Sequence, residues 1–178
     1  LADLKNKETD VRIRKTDLIT GEEISGAVLS IKSLDGKLLK EWVSGEEIQI
    51  TGILKPGETY LLAEVLPATG YAWAEEIPFT DGGDGGIHRV RMADRPTQAE
   101  IRKTDMVTGE ELPGAVLVLK DKNGRVVDRW TSGNTPHRIM GRLNAGEAYT
   151  LSEVTAPSGY QIAEEVTFTV SEDGTIDR

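Results

Sequence analysis

Three residues within the first 94 positions have types and positions that permit chemistry between them: Lys15, Glu64 and Asp94. Each closes a run of alternating apolar and polar residues. Val11 and Ile13 share a strand face with Lys15, while Arg12 and Arg14 take the other face. Tyr60 and Leu62 share a face with Glu64, and Val90 and Met92 share one with Asp94. The apolar face of a strand packs on the core, so all three ionisable groups are expected to point inward. A buried charge is costly unless it is paired or neutralised. Two outcomes meet that constraint. One is a lysine–carboxylate salt bridge at the rim of the core. The other is a reaction. Desolvation lowers the pKa of an amine and raises that of a carboxyl, which makes Lys15 a neutral nucleophile and Asp94 a protonated electrophile. Glu64 between them keeps the acceptor neutral and relays the proton. The product is a Lys–Asp amide, with loss of water.

The elements that must position these groups repeat along the chain. Ile13-Arg-Lys-Thr-Asp17 recurs as Ile101-Arg-Lys-Thr-Asp105, Thr20-Gly-Glu-Glu23 as Thr108-Gly-Glu-Glu111, and Trp42 as Trp130. Lys15 and Lys103 are 88 residues apart; Glu64 and Glu153 are 89 apart, so one residue is inserted in a loop. A period of this length is a small domain rather than a solenoid unit. In the first copy, alternation and turn signals predict strands at 11–16, 27–33, 37–43, 47–51, 59–65, 76–80 and 87–93, with Asp35-Gly36 and Asn123-Gly124 as hairpin dipeptides. No helix-length periodicity is present. The fold class expected is all-β: two tandem seven-stranded antiparallel sandwiches, the second without its last strand. Residues 10–95 form domain 1, 96–98 a short linker carrying Pro96, and 99–178 domain 2. Residues 1–9 read as the tail of a preceding repeat and a linker, because Leu1-Ala-Asp3 is similar to Met92-Ala-Asp94. So little slack between the copies predicts a stiff, elongated monomer, expected to lie inside a longer array. The counterpart of Asp94 falls past residue 178, so Lys103 and Glu153 are expected without a covalent partner.

Composition narrows the function. There is no cysteine, which excludes disulfides and thiolate chemistry, and there are only 2 histidines. Lys+Arg number 21 against 30 Asp+Glu, a net charge of −9 that argues against nucleic acid and anionic membranes as partners. No apolar run reaches membrane-spanning length. No cofactor and no metal site is expected.

The two runs above, followed by Trp-x-Ser-Gly and by Tyr149-Thr-Leu-Ser-Glu-Val-Thr-Ala-Pro-Ser-Gly-Tyr160, resemble the Cna protein B-type (SpaA-type, prealbumin-like) repeats of Gram-positive surface adhesins and pilins. The resemblance covers nearly all of both copies. It implies a sandwich stapled by a self-formed intramolecular isopeptide bond. The family lysine matches Lys15 and Lys103. The family catalytic glutamate matches Glu153 and, in the looser Leu62-Ala-Glu-Val-Leu-Pro-Ala-Thr-Gly-Tyr71, Glu64. The Asn or Asp acceptor of the last strand matches Asp94. The function so implied is a structural stalk or spacer, cell-wall anchored outside the cell through a parent protein, with neighbouring repeats as partners and no turnover activity. The alternative is an adhesin module that binds a host protein or glycan.

Other motifs carry less. Leu66-Pro-Ala-Thr-Gly70 fits a sortase pattern but lacks the apolar span and basic tail that a sorting signal needs. Asp81-Gly-Gly-Asp-Gly-Gly86 is a loose calcium-loop pattern whose counterpart, Ser171-Glu-Asp-Gly174, is a plain hairpin turn. His88 and His137 occupy unlike positions and read as surface or loop residues. Trp42 and Trp130 read as packing residues, Asp17 and Asp105 as turn caps, and Glu22-Glu23, Glu46-Glu47 and Glu75-Glu76 as solvated charges.

Overall fold

The computed structural model describes residues 2–177; Arg178, and Leu1 of the Leu1-Ala-Asp3 motif, lie outside the described residues. Fourteen strands and no helix are found among them. The chain divides into two compact units, 1–68 with 73–95 and 69–72 with 96–178.

In the first unit the strands are β1 (Asp10–Asp17), β2 (Val28–Ser33), β3 (Leu38–Val43), β4 (Ile48–Thr51), β5 (Thr59–Leu66), β6 (Ile77–Thr80) and β7 (Ile87–Asp94). All seven expected strands form, with ends shifted by one residue or not at all. They make two sheets, β4-β1-β7 and β3-β2-β5-β6. One pairing departs from an all-antiparallel arrangement. β1 and β7 run parallel over their full length, with Lys15 opposite Met92 and Asp17 opposite Asp94. Parallel neighbours need a long crossover, and here β2 to β6 supply it. Val11, Ile13, Leu29, Ile31, Ile50, Leu62, Phe79, Val90 and Met92 fill the space between the sheets, each no more than 7% exposed. Burying one such side chain contributes about 1.5–3 kcal/mol.

The second unit contains β8 (Gln98–Ile101), β9 (Val116–Asp121), β10 (Val126–Thr131), β11 (His137–Met140), β12 (Ala148–Thr155), β13 (Val166–Val170) and β14 (Ile176–Asp177). Its sheets are β10-β9-β12-β13-β14 and β11-β8. The last strand consists of two residues, and it pairs with β13 rather than with the first strand. Ala99, Ile101, Leu119, Ile139, Leu143, Tyr149, Phe168 and Val170 form the core, with Trp130 half-buried against it.

The hairpins are built differently from the two-residue turns that the dipeptides suggest. Gly36 (φ 87°) and Gly124 (φ 78°) enter the left-handed region, but Asp35 and Asn123 do not. Ser33 N–H bonds Lys37 O, and Gly36 N–H returns to Ser33 O. The connection therefore has three residues and ends in a left-handed glycine, the commonest solution when only one residue has φ > 0. The Asp17 and Asp105 caps form as expected. Asp17 Oδ1 accepts from the N–H groups of Ile19 (2.6 Å) and Thr20 (2.9 Å), and Asp105 Oδ1 from those of Val107 and Thr108.

Leu119 is fully buried at the centre of the second core. Leu119→Ala is expected to destabilise that unit by about 2–5 kcal/mol, read as a lower chemical-denaturation midpoint; the exposed Val126→Ala is expected to shift it by less than about 0.5 kcal/mol.

Candidate functional site

Lys15 lies on β1, the central strand of its sheet. Asp94 ends the adjacent parallel strand β7, two residues past the partner of Lys15. Glu64 comes from β5 in the facing sheet. The parallel pairing is what brings residues 79 positions apart in sequence into contact. The three side chains are sealed, with exposures of 1% for Lys15 and 0% for Glu64 and Asp94.

Lys15 Nζ lies 2.7 Å from Glu64 Oε1 and makes a direct, short contact with Asp94 Oδ1. The Ala74 N–H donates to Glu64 Oε2 at 2.8 Å, which fixes the carboxyl so that Oε1 faces the amine. Asp94 Oδ2 is buried without a hydrogen-bond partner, and Glu64 Oε1 has only its ion contact with Lys15. Burial is the largest influence on Asp94 and pushes its carboxyl up to about 7; the ammonium of Lys15 pulls it down, and the neighbouring Glu64 raises it further. A carboxyl with that pKa is protonated in a large part of the population near neutral pH.

The second copy brings together two of the three groups. Lys103 lies just beyond β8, and Glu153 is on β12. Lys103 Nζ is 3.7 Å from Glu153 Oε1, and the lysine side chain is 17% exposed. Ala163 N–H donates to Glu153 Oε2 at 2.6 Å, the same restraint as in the first copy. No second carboxylate pairs with Lys103 among the described residues.

The two alanine amides escape sequence reasoning because a backbone donor leaves no mark on residue type. The one available signal is that Ala74-Glu-Glu76 recurs as Ala163-Glu-Glu165. Both histidines, expected at the surface or in loops, lie on strands. His88 lies on β7 with its ring 6.4 Å from that of Phe79. His137 lies on β11, stacks on Trp130 at 4.1 Å and pairs with Asp128 at 3.0 Å. Neither is a loop residue, because the strand pattern places both on half-buried faces. The 81–86 segment brings together no set of three metal-ligating side chains, nor does any other part of the described residues. Glu22, Glu46, Glu47, Glu75 and Glu76 are exposed, and Glu23, also exposed, pairs with Arg14.

The family model of the SpaA prealbumin-like fold domain matches residues 9–95 and again 97–178. The chain belongs to this family. Both of its SpaA domains place the motif lysine and glutamate side by side. Among solved structures, the chain is similar to the Bacillus anthracis TIE protein, at 24% identity and a TM-score of 0.53 over 96% of this chain and 33% of that one. It therefore spans about a third of the length of that protein, and this likeness is one of fold. A Streptococcal ancillary pilin matches at 21% identity and a TM-score of 0.48, over 96% of this chain and 60% of that one. The C-terminal fragment of the pilus adhesin SpaC from Lactobacillus rhamnosus GG matches at 18% and 0.49, over 94% and 83%. No curated protein matches the chain.

Removing the cation from the first SpaA site leaves two buried carboxyls. The folded-state pKa of Asp94 is already raised from 3.8 to about 7, so its neutral form favours the fold at low pH and that contribution is lost as pH rises through 7. Lys15→Ala, which can form no bond, is therefore expected to be more stable at pH 5 than at pH 8 by urea denaturation. Equal stability at both values would refute the placement of the carboxyls in a low-dielectric interior.

Proposed function

We propose that the first SpaA domain closes a Lys15–Asp94 isopeptide bond on itself and that the chain is a stalk or spacer segment of a Gram-positive surface protein. The observation that carries this reading is one buried amine held against two buried carboxyls, one of them with its pKa near 7. With Lys15 as ammonium, Glu64 as carboxylate and Asp94 protonated, the cluster has no net charge. Proton transfer from Lys15 Nζ to Glu64 leaves all three groups neutral, which a low-dielectric site favours. The amine lone pair attacks Asp94 Cγ, and a C–N bond replaces a C–O bond. Glu64 returns its proton to the leaving hydroxyl, and the amide nitrogen gives up its second proton to Glu64. One water leaves per bond.

Such a bond joins the first and last strands across 79 residues. By the loop-closure relation for cross-links it removes about 4–5 kcal/mol of unfolded-state freedom. Force applied at the ends of β1 and β7 is then borne by a covalent link rather than by sheet hydrogen bonds. That property suits an extracellular, wall-anchored stalk and stands in for the disulfides that a chain without cysteine lacks. The neighbouring repeats of a longer array are its proposed partners. Lys103 and Glu153 correspond to Lys15 and Glu64 without an acceptor among the described residues, so one bond per chain is proposed.

Intact mass under denaturing conditions is expected to be one water below the sequence mass, and a tryptic digest to yield a branched peptide joining Lys15 to Asp94. Glu64→Ala is expected to keep the full mass and to lose about 4–5 kcal/mol of stability. Separate, unmodified Lys15 and Asp94 peptides from the wild-type chain would overturn the proposal, and a Glu64→Ala chain that loses water at the wild-type rate would remove Glu64 from the mechanism.

A further inference from the structure

The parallel pairing that aligns Lys15 with Asp94 inside the domain creates a second arrangement outside it. Arg12 lies directly opposite Arg89, and Arg14 opposite Arg91. These residues alternate with the core-facing ones, so all four guanidinium groups project from the outer face of the β4-β1-β7 sheet. Arg14, Arg89 and Arg91 are exposed, as is Arg95 just after the strand. Like charges directly opposite one another across a strand pair are destabilising. Here two such pairs stand side by side on a chain of net charge −9.

The carboxylates of this face are concentrated on the β1 and β4 side. Glu23 Oε1 is 3.0 Å from Arg14 Nε, and Asp10 and Glu47 flank Arg12 at 3.6 and 3.8 Å. On β7, Arg91 Nε donates to Thr16 Oγ1 at 2.7 Å, and Arg89 has no ion-pair partner among the described residues. β7 is also the edge strand of its sheet, so its arginines can be reached from the side as well as from the front. The first strand of the second domain carries only one of the two arginines. The counterpart of Arg12 is Glu100, which pairs with Arg138 at 3.0 Å, and the counterpart of Arg14 is Arg102, which pairs with Glu111 at 2.6 Å. The first rung of the ladder is thus not repeated on the first strand of the second domain.

We infer that this arginine ladder is a binding site for a polymer of three-carbon polyol phosphates, with one phosphate gripped by Arg12 and Arg89 and the next by Arg14 and Arg91. Facing arginines stand about 4.8 Å apart at the backbone, and successive pairs about 6.6 Å apart along the strands. The guanidinium fork matches the oxygens of a tetrahedral anion, and two forks meet one phosphate from either side. A three-carbon polyol phosphate places six bonds between successive phosphorus atoms, which spans about 7 Å when extended. Its charge period therefore fits the rungs of the ladder. The acidic remainder of the surface does not prevent contact, because charges more than about 8 Å away are screened at physiological ionic strength.

The test is titration of the full chain with synthetic poly(glycerol phosphate), followed by calorimetry at ionic strengths of about 0.1 M, where distant carboxylates are screened, and about 1 M, where the contact itself is screened. Binding is expected at the lower value and is expected to weaken at the higher one. The double variant Arg89→Glu/Arg91→Glu is expected to bind at least about tenfold more weakly. Its denaturation midpoint is expected to be equal to or above that of the wild type, because opposite charges then face Arg12 and Arg14. The matched control Arg125→Glu/Arg129→Glu in the second domain changes the net charge equally and is expected to bind as the wild type does. A sulfated glycan of equal charge, titrated in parallel, is expected to bind more weakly. Absence of binding by the wild type at the lower ionic strength would overturn the inference. So would an equal loss in the control variant, or tighter binding of the sulfated glycan. None of these outcomes bears on the isopeptide bond, which the mass measurement reads separately.

Discussion

One ammonium and two carboxyls enclosed at the end of a hydrophobic sandwich form the constraint around which the first domain is arranged. Each group alone would be expelled from the interior by its hydration energy. Together they sum to neutrality once one carboxyl keeps its proton, and the raised pKa of Asp94 is the mark of that compromise. The geometry has little latitude. The lysine must come from the central strand of one sheet and the glutamate from the facing sheet. The aspartate comes from a strand parallel to the first, two residues past the partner of the lysine, so that both side chains point inward.

The second domain isolates the contribution of the aspartate. It repeats the lysine, the glutamate and the alanine amide that orients the glutamate, yet the Lys–Glu separation widens from 2.7 to 3.7 Å and lysine exposure rises from 1% to 17%. A strand such as β7 in the first domain does more than provide an acceptor. Its Val90 and Met92 are themselves buried, at 7% and 0% exposure, and add to the core of the first domain. The outward side of that strand pair shows the reverse situation. There the register places arginine against arginine, with carboxylates beside Arg12 and Arg14 and none beside Arg89 among the described residues.

Most of the fold was legible in the sequence because each strand of a two-layer sandwich buries only one face. Period-two alternation then marks strand positions, and the internal repeat supplies a second reading of each. The inward direction of Lys15, Glu64 and Asp94 followed from the same alternation. Backbone groups were not legible. The amides of Ala74 and Ala163 act through position alone, and the hairpins took a three-residue form because only Gly36 and Gly124 adopt positive φ. The stacking of His137 on Trp130 and its pairing with Asp128 were not legible, because these partners belong to a different strand and no local pattern announces a contact between separate segments.

The sequence by itself determined the residue types, their alternation and the duplication, and hence an all-β tandem with three ionisable groups aimed at one core. These are local properties, set by strand geometry and by the cost of exposing apolar side chains. Tertiary structure decided which strands became neighbours. The parallel pairing of β1 with β7 is a contact between the two ends of the domain, and alternation along either strand is equally compatible with an antiparallel partner. Only that pairing sets Lys15 beside Asp94 on the inner face and Arg12 and Arg14 beside Arg89 and Arg91 on the outer one, because register between distant strands is fixed by the packing of the whole sandwich and not by either strand alone.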